Sequence, residues 1–274
     1  MYQLYNYVLW AICLCVSNYL YSQTGHYKNG AGAFAKADAS VTDSDSWSLF
    51  NNVGALANRE QEISVIFSYR NFHSIQNLYS TAAGMNCPVG SFNAALGFFR
   101  FGNDLFNEQS IIFGTGHKIG HTSIGISLHY IQFQGEQIGR GECLAISFGG
   151  LTRINQELTL GAYIFNLNQV KISRITGEKL PTVMNLGIEY KTGNLRANLE
   201  TEKEIDFKVT IRSGIEYAFK QRFFIRTGII TNPFSSSYGL GLLSGRFIID
   251  YGLRRSGTLG MSHMMTVVFR IKSN

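Results

Sequence analysis

From Gln61 to the C-terminal end, apolar and polar residues alternate with a period of two, and this pattern most constrains the fold. In KVTIRSGIEYAF, Val209, Ile211, Ile215, Tyr217 and Phe219 share one face, while Thr210, Arg212, Gly214 and Glu216 share the other. Successive side chains of a strand point to opposite sides of the sheet, so such a segment has one apolar and one polar face. EISVIFSYR repeats the pattern, with Ile63, Val65, Phe67 and Tyr69 against Glu62, Ser64, Ser68 and Arg70. LRANLETE and RFIIDYGLR do the same. Segments of this kind predict strands near 61–70, 77–86, 91–100, 108–117, 121–132, 142–150, 157–166, 182–192, 194–202, 208–219, 222–231, 235–243, 245–254 and 262–271. That makes fourteen, an even number, with lengths close to the 9–11 residues that a tilted strand needs to cross a bilayer.

The links between strands sort by parity. After even-numbered strands they are short: CPVG, KIG, TG near Thr192, KQ at Lys220 and a lone Ser244. After odd-numbered strands they are usually longer: FGNDLFN, QFQGEQIGRG, NLNQVKISRITGEKLP and RRSGTLG. The turn at 151–156 and the linker at 203–207 differ little and break the rule. Bacterial outer-membrane barrels have short turns on the periplasmic side and longer loops outside. A soluble sandwich or soluble barrel also alternates, but its exposed face should carry many Lys and Glu. Here the polar face is mostly Gly, Ser, Thr and Asn with isolated charges, and only 15% of the chain is charged against about 25% in an ordinary soluble domain. The expected fold is an all-β, 14-stranded antiparallel transmembrane outer-membrane β-barrel over residues 61–274.

The N-terminus reads as an address. MYQLYNY-VLWAICLCV-SNYLYS has a nine-residue apolar core, Val8 to Val16, too short to span a bilayer as a helix, and Ser22 offers a small residue before Gln23. Residues 1–22 are expected to be a signal peptide. Cys13 and Cys15 fall inside it, which leaves Cys87 and Cys143 as free thiols rather than a disulfide framework.

Residues 23–60 do not alternate. GAGAFAKADASVTDSDSWSLFNNVGALAN is rich in Ala, Gly, Asn and Asp, with helix-compatible pieces broken by turn residues, and suits a short N-terminal plug in the barrel. In this stretch Trp47, Phe50, Asn51, Asn52, Gly54, Leu56 and Ala57 resemble the N-terminal signature of the FadL-like outer-membrane superfamily, in particular its PorV/PorQ branch from Bacteroidetes. Val53 stands where that signature usually has Pro. The C-terminal third, from LPTVMNLGIEY to the end, resembles the same branch. The resemblance to PorV/PorQ implies an accessory role in type IX secretion, with translocon components or secreted cargo as partners. The resemblance to FadL implies passive uptake of small hydrophobic molecules.

If the register holds, Glu189, Arg196, Glu200, Arg212, Glu216, Arg226, Asp250, Arg254 and Arg270 face the lumen. Charges in a narrow lumen must be paired or wetted. They form either a structural ladder that fills and stiffens the lumen or a lining that sets selectivity. His117 and His121 have the i, i+4 spacing of a helical metal pair, but a KIG turn separates them, so no metal site is expected. Ser127 and His129 share the inward face of the fifth strand, about 7 Å apart by strand geometry, with no evident third partner, so no catalytic site is expected. No cofactor is called for. Lys171, Arg174 and Lys179 in the longest loop either meet acidic lipopolysaccharide groups or form a solvated loop face. The apolar strand faces meet outer-membrane lipid, and the compartment excludes nucleic acid.

Overall fold

The computed structural model describes residues 27–58, 62–75, 77–103, 105–135, 139–172, 179–205, 207–257 and 260–272. The expected signal peptide lies outside them. Fourteen strands follow in chain order: β1 (Glu62–Asn71), β2 (Tyr79–Val89), β3 (Phe92–Gly102), β4 (Phe106–Ile119), β5 (Thr122–Gly135), β6 (Gly139–Arg153), β7 (Leu158–Phe165), β8 (Val183–Thr192), β9 (Leu195–Glu204), β10 (Thr210–Phe219), β11 (Phe223–Thr231), β12 (Phe234–Ser244), β13 (Phe247–Ser256) and β14 (Gly260–Lys272). Each pairs antiparallel with its chain neighbours, and β1 closes the barrel on β14 from Glu62↔Lys272 to Asn71↔His263. Closure leaves no strand edge to be satisfied by water, the condition for crossing lipid.

The alternation sets the two faces. Phe67, Phe113, Leu186, Ile215 and Leu240 point outward and are exposed, whereas their neighbours Ile66, Ile112, Asn185, Glu216 and Gly239 point inward. An outward apolar band of this kind is stabilised by lipid, not by a protein core. At one end of the barrel the links are tight, with Gly193 and Gly245 at φ 55° and 58° in two-residue turns. At the other end they are more varied, and the longest runs from Asn166 to Thr182.

Three expected long loops are corrected. Most of FGNDLFN, QFQGEQIGRG and RRSGTLG is strand, because β3 to β6 continue in register to Gly102↔Asn107 and Gly135↔Gly139, and β13 pairs with β14 as far as Ser256↔Gly260. Cross-strand pairing in β3 to β6 persists beyond the shorter strands of the other half, so β4, β5 and β6 reach 14, 14 and 15 residues. The turn after β6, by contrast, is short and falls into line with the other even-numbered links.

Residues 27–58 fold inside this wall as α1 (Ala31–Ala35), α2 (Ser48–Asn51) and a 3-10 helix (Val53–Asn58). The hydrophobic core of the molecule is the joint between this plug and the barrel. Trp47, Leu49, Phe50, Val53 and Leu56 are buried against Ile66, Ala95, Phe99, Ile112, Ile131, Ala145 and Tyr163. The 3-10 helix contacts β3 to β6, and α1 contacts β11 to β14, so one short segment bridges opposite walls.

Candidate functional site

The site is the plug and the space around it. Its helices are short, so side chains and close backbone contacts position them more than helical propensity does. Asn51 accepts a hydrogen bond from the Asn29 amide at 2.9 Å and returns one to the Asn29 carbonyl at 2.8 Å. Asn52 donates to the carbonyls of Val41 and Gly150 at 2.6 and 3.1 Å and accepts from the Gly54 amide at 3.0 Å, which starts the 3-10 helix. A Cβ on Gly54 would lie 2.5 Å from the Gly149 carbonyl, so only glycine lets these two backbones touch. Trp47, Phe50, Asn51, Asn52, Gly54, Leu56 and Ala57 are thus all buried at the plug–wall joint.

The opposite wall meets the plug through charge. Arg254 donates to Asp38 at 2.7 Å, to Ser237 at 2.9 Å and to the Phe34 carbonyl at 2.9 Å. Arg212 donates to Glu202 at 2.6 Å and to the Ala37 carbonyl at 3.3 Å. Burial favours a neutral Asp38, but Arg254 and Arg212 outweigh it and hold the carboxyl well below the usual carboxylate range. Glu200 accepts from the Ser40 and Val41 amides at 2.8 and 2.9 Å, from Asn185 at 2.8 Å, and pairs with Lys28. Lys36 reaches both Asp43 oxygens, at 2.7 and 2.8 Å. Nearer the tight-turn end, Arg226 bridges Glu216 and Asp250, each at 2.5 Å. Arg196 lies 3.4 Å from Glu189 and 3.7 Å from Glu216, and Arg270 lies 3.9 Å from Glu62.

All nine residues expected to face the lumen therefore line the inner wall, and each takes part in an ion pair. Sequence reasoning missed their partners on the plug, Lys28, Asp38 and Asp43, and also Lys36, which pairs with Asp43 inside the plug. Their signal was present, since AKADAS puts charges into an otherwise Gly/Ala-rich run. It also passed over Arg70, whose guanidinium lies 4.5 Å from the Phe34 ring centre and 4.2 Å from that of Phe72.

Among the described residues, the two larger cavities beside the plug lie at opposite ends of the barrel. At the end with the longest loop, one of about 460 Å³ is lined by the aromatic rings of Tyr27, Phe72 and Phe101, by Leu78, Val183 and Ile230, and by Arg70, Arg212 and Arg254. Tyr27 stacks on Phe101 at 5.0 Å, and Phe72 meets Phe101 edge-on at 5.1 Å. Its burial, reinforced by the charge of Glu108, pushes the Tyr27 phenol above its ordinary range. At the tight-turn end a polar cavity of about 520 Å³ lies among Ser44, Asp45, Arg153, Glu189, Arg196 and Arg270. Between the two, the Lys36 backbone presses on the barrel wall. A Cβ on Gly214 would lie 2.5 Å from Lys36 Cβ, and one on Gly228 the same distance from its carbonyl carbon.

The remaining candidates are placed as follows. His117 donates from Nδ1 to the Ser91 carbonyl at 2.9 Å beside a turn, and no cluster of potential metal ligands is found among the described residues. Ser127 and His129 correct the expected 7 Å separation, because their side chains lean together and Oγ to Nε2 is 2.9 Å. The His129 ring is held edge-on by Phe165 at 5.2 Å, and both residues are buried and line neither cavity. Lys171 and Lys179 bridge across the longest loop, while Arg174 lies outside the described residues. Cys87 and Cys143 are free thiols.

No protein-family model matches the sequence. No curated protein matches it either. Solved structures do match in shape. The CymD monoaromatic hydrocarbon channel superposes with a TM-score of 0.66 at 9% identity, covering 89% of this chain and 97% of that one. A Pseudomonas aeruginosa FadL homologue gives 0.63 at 12% identity, with 88% and 97% covered. The Pseudomonas putida toluene transporter TodX gives 0.63 at 8% identity, with 91% and 98% covered. The closed, antiparallel 14-stranded wall and these superpositions identify the fold as that of the FadL-like outer-membrane β-barrels.

Proposed function

We propose that this protein is a plugged outer-membrane channel for small hydrophobic molecules, with the tight turns in the periplasm and the longest loop outside. The observation that carries this is the outer cavity beside the plug, where Tyr27, Phe72, Phe101, Leu78, Val183 and Ile230 form the apolar part of a lining that also carries charged groups. Binding sites for small apolar molecules are concave and mostly apolar, with a few oriented polar groups. The names borne by CymD and TodX, channels or transporters of monoaromatic hydrocarbons, support the same reading.

On this reading, passage is blocked at the plug. The Phe34–Asp38 segment separates the outer and inner cavities, and Asp38, Arg254 and Arg212 hold it there. Passage requires that segment to shift. Nothing in the wall needs to react with the solute, so the role is conduction, not catalysis.

A secretion-accessory role of the PorV/PorQ kind needs an exposed surface for a protein partner. The residues that carry that resemblance, Trp47 to Ala57, are buried in the plug–wall joint, and most outer links are short. The channel reading is therefore preferred. Its test is the uptake of radiolabelled toluene or naphthalene by proteoliposomes holding the purified protein. Flux above that of protein-free liposomes supports it. No flux, together with stoichiometric co-purification of secretion components from the native membrane, would replace it with the accessory role.

A further inference from the structure

We propose that the outer cavity binds a compact aromatic monoanion, its carboxylate on the Arg70 guanidinium and its ring among Tyr27, Phe72 and Phe101. This rests on the channel reading and narrows its substrate class from hydrophobic molecules in general to aromatic acids.

The charge accounting around the cavity singles out Arg70. Lys28 is answered by Glu200, Arg212 by Glu202 and Arg254 by Asp38. Arg70 has no carboxylate within ion-pair distance among the described residues, and its Nε has no hydrogen-bond partner. Yet its guanidinium is held between two rings, Phe34 from the plug and Phe72 from the wall, at 4.5 and 4.2 Å. Ring faces attract a cation and fix its plane, but they do not satisfy its N–H groups. A part-buried guanidinium left so is costly unless an anion completes it. A planar carboxylate matches its forked donors, and the pairing is among the stronger hydrogen-bonded contacts a protein makes.

The cavity limits the rest of the ligand. Arg70 has no acid paired to it among the described residues, and Asp38, Glu202 and Glu204, which also line the cavity, repel a second negative charge. One anionic group is therefore favoured over two. The rings of Tyr27, Phe101 and Phe72, stacked and edge-on, offer a flat aromatic group both face and edge contacts. A volume of about 460 Å³ admits a one- or two-ring acid and excludes a bulky glycolipid head.

The test uses the purified full-length protein in detergent with 1-naphthoate as the probe, and naphthalene and decanoate as neutral and aliphatic comparisons. Saturable naphthoate binding is expected, tighter than that of decanoate. Arg70→Gln should weaken naphthoate binding by about tenfold or more and shift the naphthoate-to-naphthalene affinity ratio by a similar factor, as expected when one charge-assisted pair is lost. Arg70→Lys, which keeps the charge and loses the fork, should fall between the two. It serves as the deciding variant if Arg70→Gln does not give the heat-modifiable band of a folded barrel. Absence of saturable naphthoate binding, or unchanged binding in both variants, overturns the proposal. Naphthalene flux through proteoliposomes without naphthoate binding would overturn this proposal alone. Naphthoate binding without any flux would overturn the channel reading and leave the site.

Discussion

The two halves of the barrel hold the same plug by different physics. On β3 to β7 the inner face presents Ile112, Ile131, Ala145, Tyr163 and Phe165 to Leu49, Phe50, Val53 and Leu56. On β8 to β14 it presents Arg196, Glu200, Arg212 and Arg254, and the plug answers with Asp43, Lys28 and Asp38. Apolar packing is non-directional and loses its value as soon as atoms separate. Ion pairs are directional, and a change of protonation or the arrival of another ion can exchange them. On the channel reading proposed above, the first wall would act as an anchor and the second as a latch.

The sharpest way to break that contrast is at Glu200, which holds Lys28 and two plug amides with one carboxylate. Glu200→Ala leaves a buried ammonium unpaired, a loss of about 3–5 kcal/mol in plug docking. The expected result is higher conductance in planar bilayers, with the heat-modifiable barrel retained. Unchanged conductance would remove the latch from the charged wall. Next in size is Leu49→Ala on the anchor side, where the side chain is fully buried against the wall at Gly97 and Gly114. That cavity should cost about 2–5 kcal/mol of stability. Here the expected change is a lower unfolding temperature in detergent with conductance close to wild type, the reverse of the Glu200 result.

The two walls were also unequally legible in the sequence. The strands could be read because each must show lipid a face of Val, Ile, Leu, Phe and Tyr, a local pattern of period two. The inward charges followed from the same register. What they touch did not, since Arg254 and Asp38 are 216 residues apart and Lys28 and Glu200 are 172 apart. No short-range pattern records such a pair, and only closure of the barrel brings them together. Arg70 escaped for a related reason: as one charge on a polar strand face it looks like its neighbours, and its lack of an acid is visible only in three dimensions. The contact between Ser127 and His129 depended on side-chain lean, which strand spacing alone does not give.

A smaller effect follows from pH. The Asp38 carboxyl titrates below its ordinary value in the docked plug, because Arg254 and Arg212 stabilise its charged form against burial. Its contribution to docking is then fully present above the ordinary carboxylate value of about 4 and is lost as pH falls through the lowered one. Conductance should stay flat from neutral pH down to about 4 and rise only below it. Asp38→Asn, which removes about 1.5–3 kcal/mol of charge-assisted bonding, should raise conductance at every pH and flatten that dependence. A wild-type transition near neutrality would assign the latch to another group.

The smallest effect sharpens where the latch ends. Arg270 and Glu62 lie 3.9 Å apart near the tight-turn rim, with the Arg270 side chain 28% exposed and no plug residue in the pair. Water and salt screen such a contact, so Arg270→Gln should cost less than about 1 kcal/mol and leave conductance unchanged. Single-channel recordings at low and high salt would check it. A clear opening in this variant would mean that the inner rim, and not the Asp38–Arg254 level of the wall, controls the plug. The latch would then have to be sought between Asp43 and Trp47 instead of at Phe34 to Asp38.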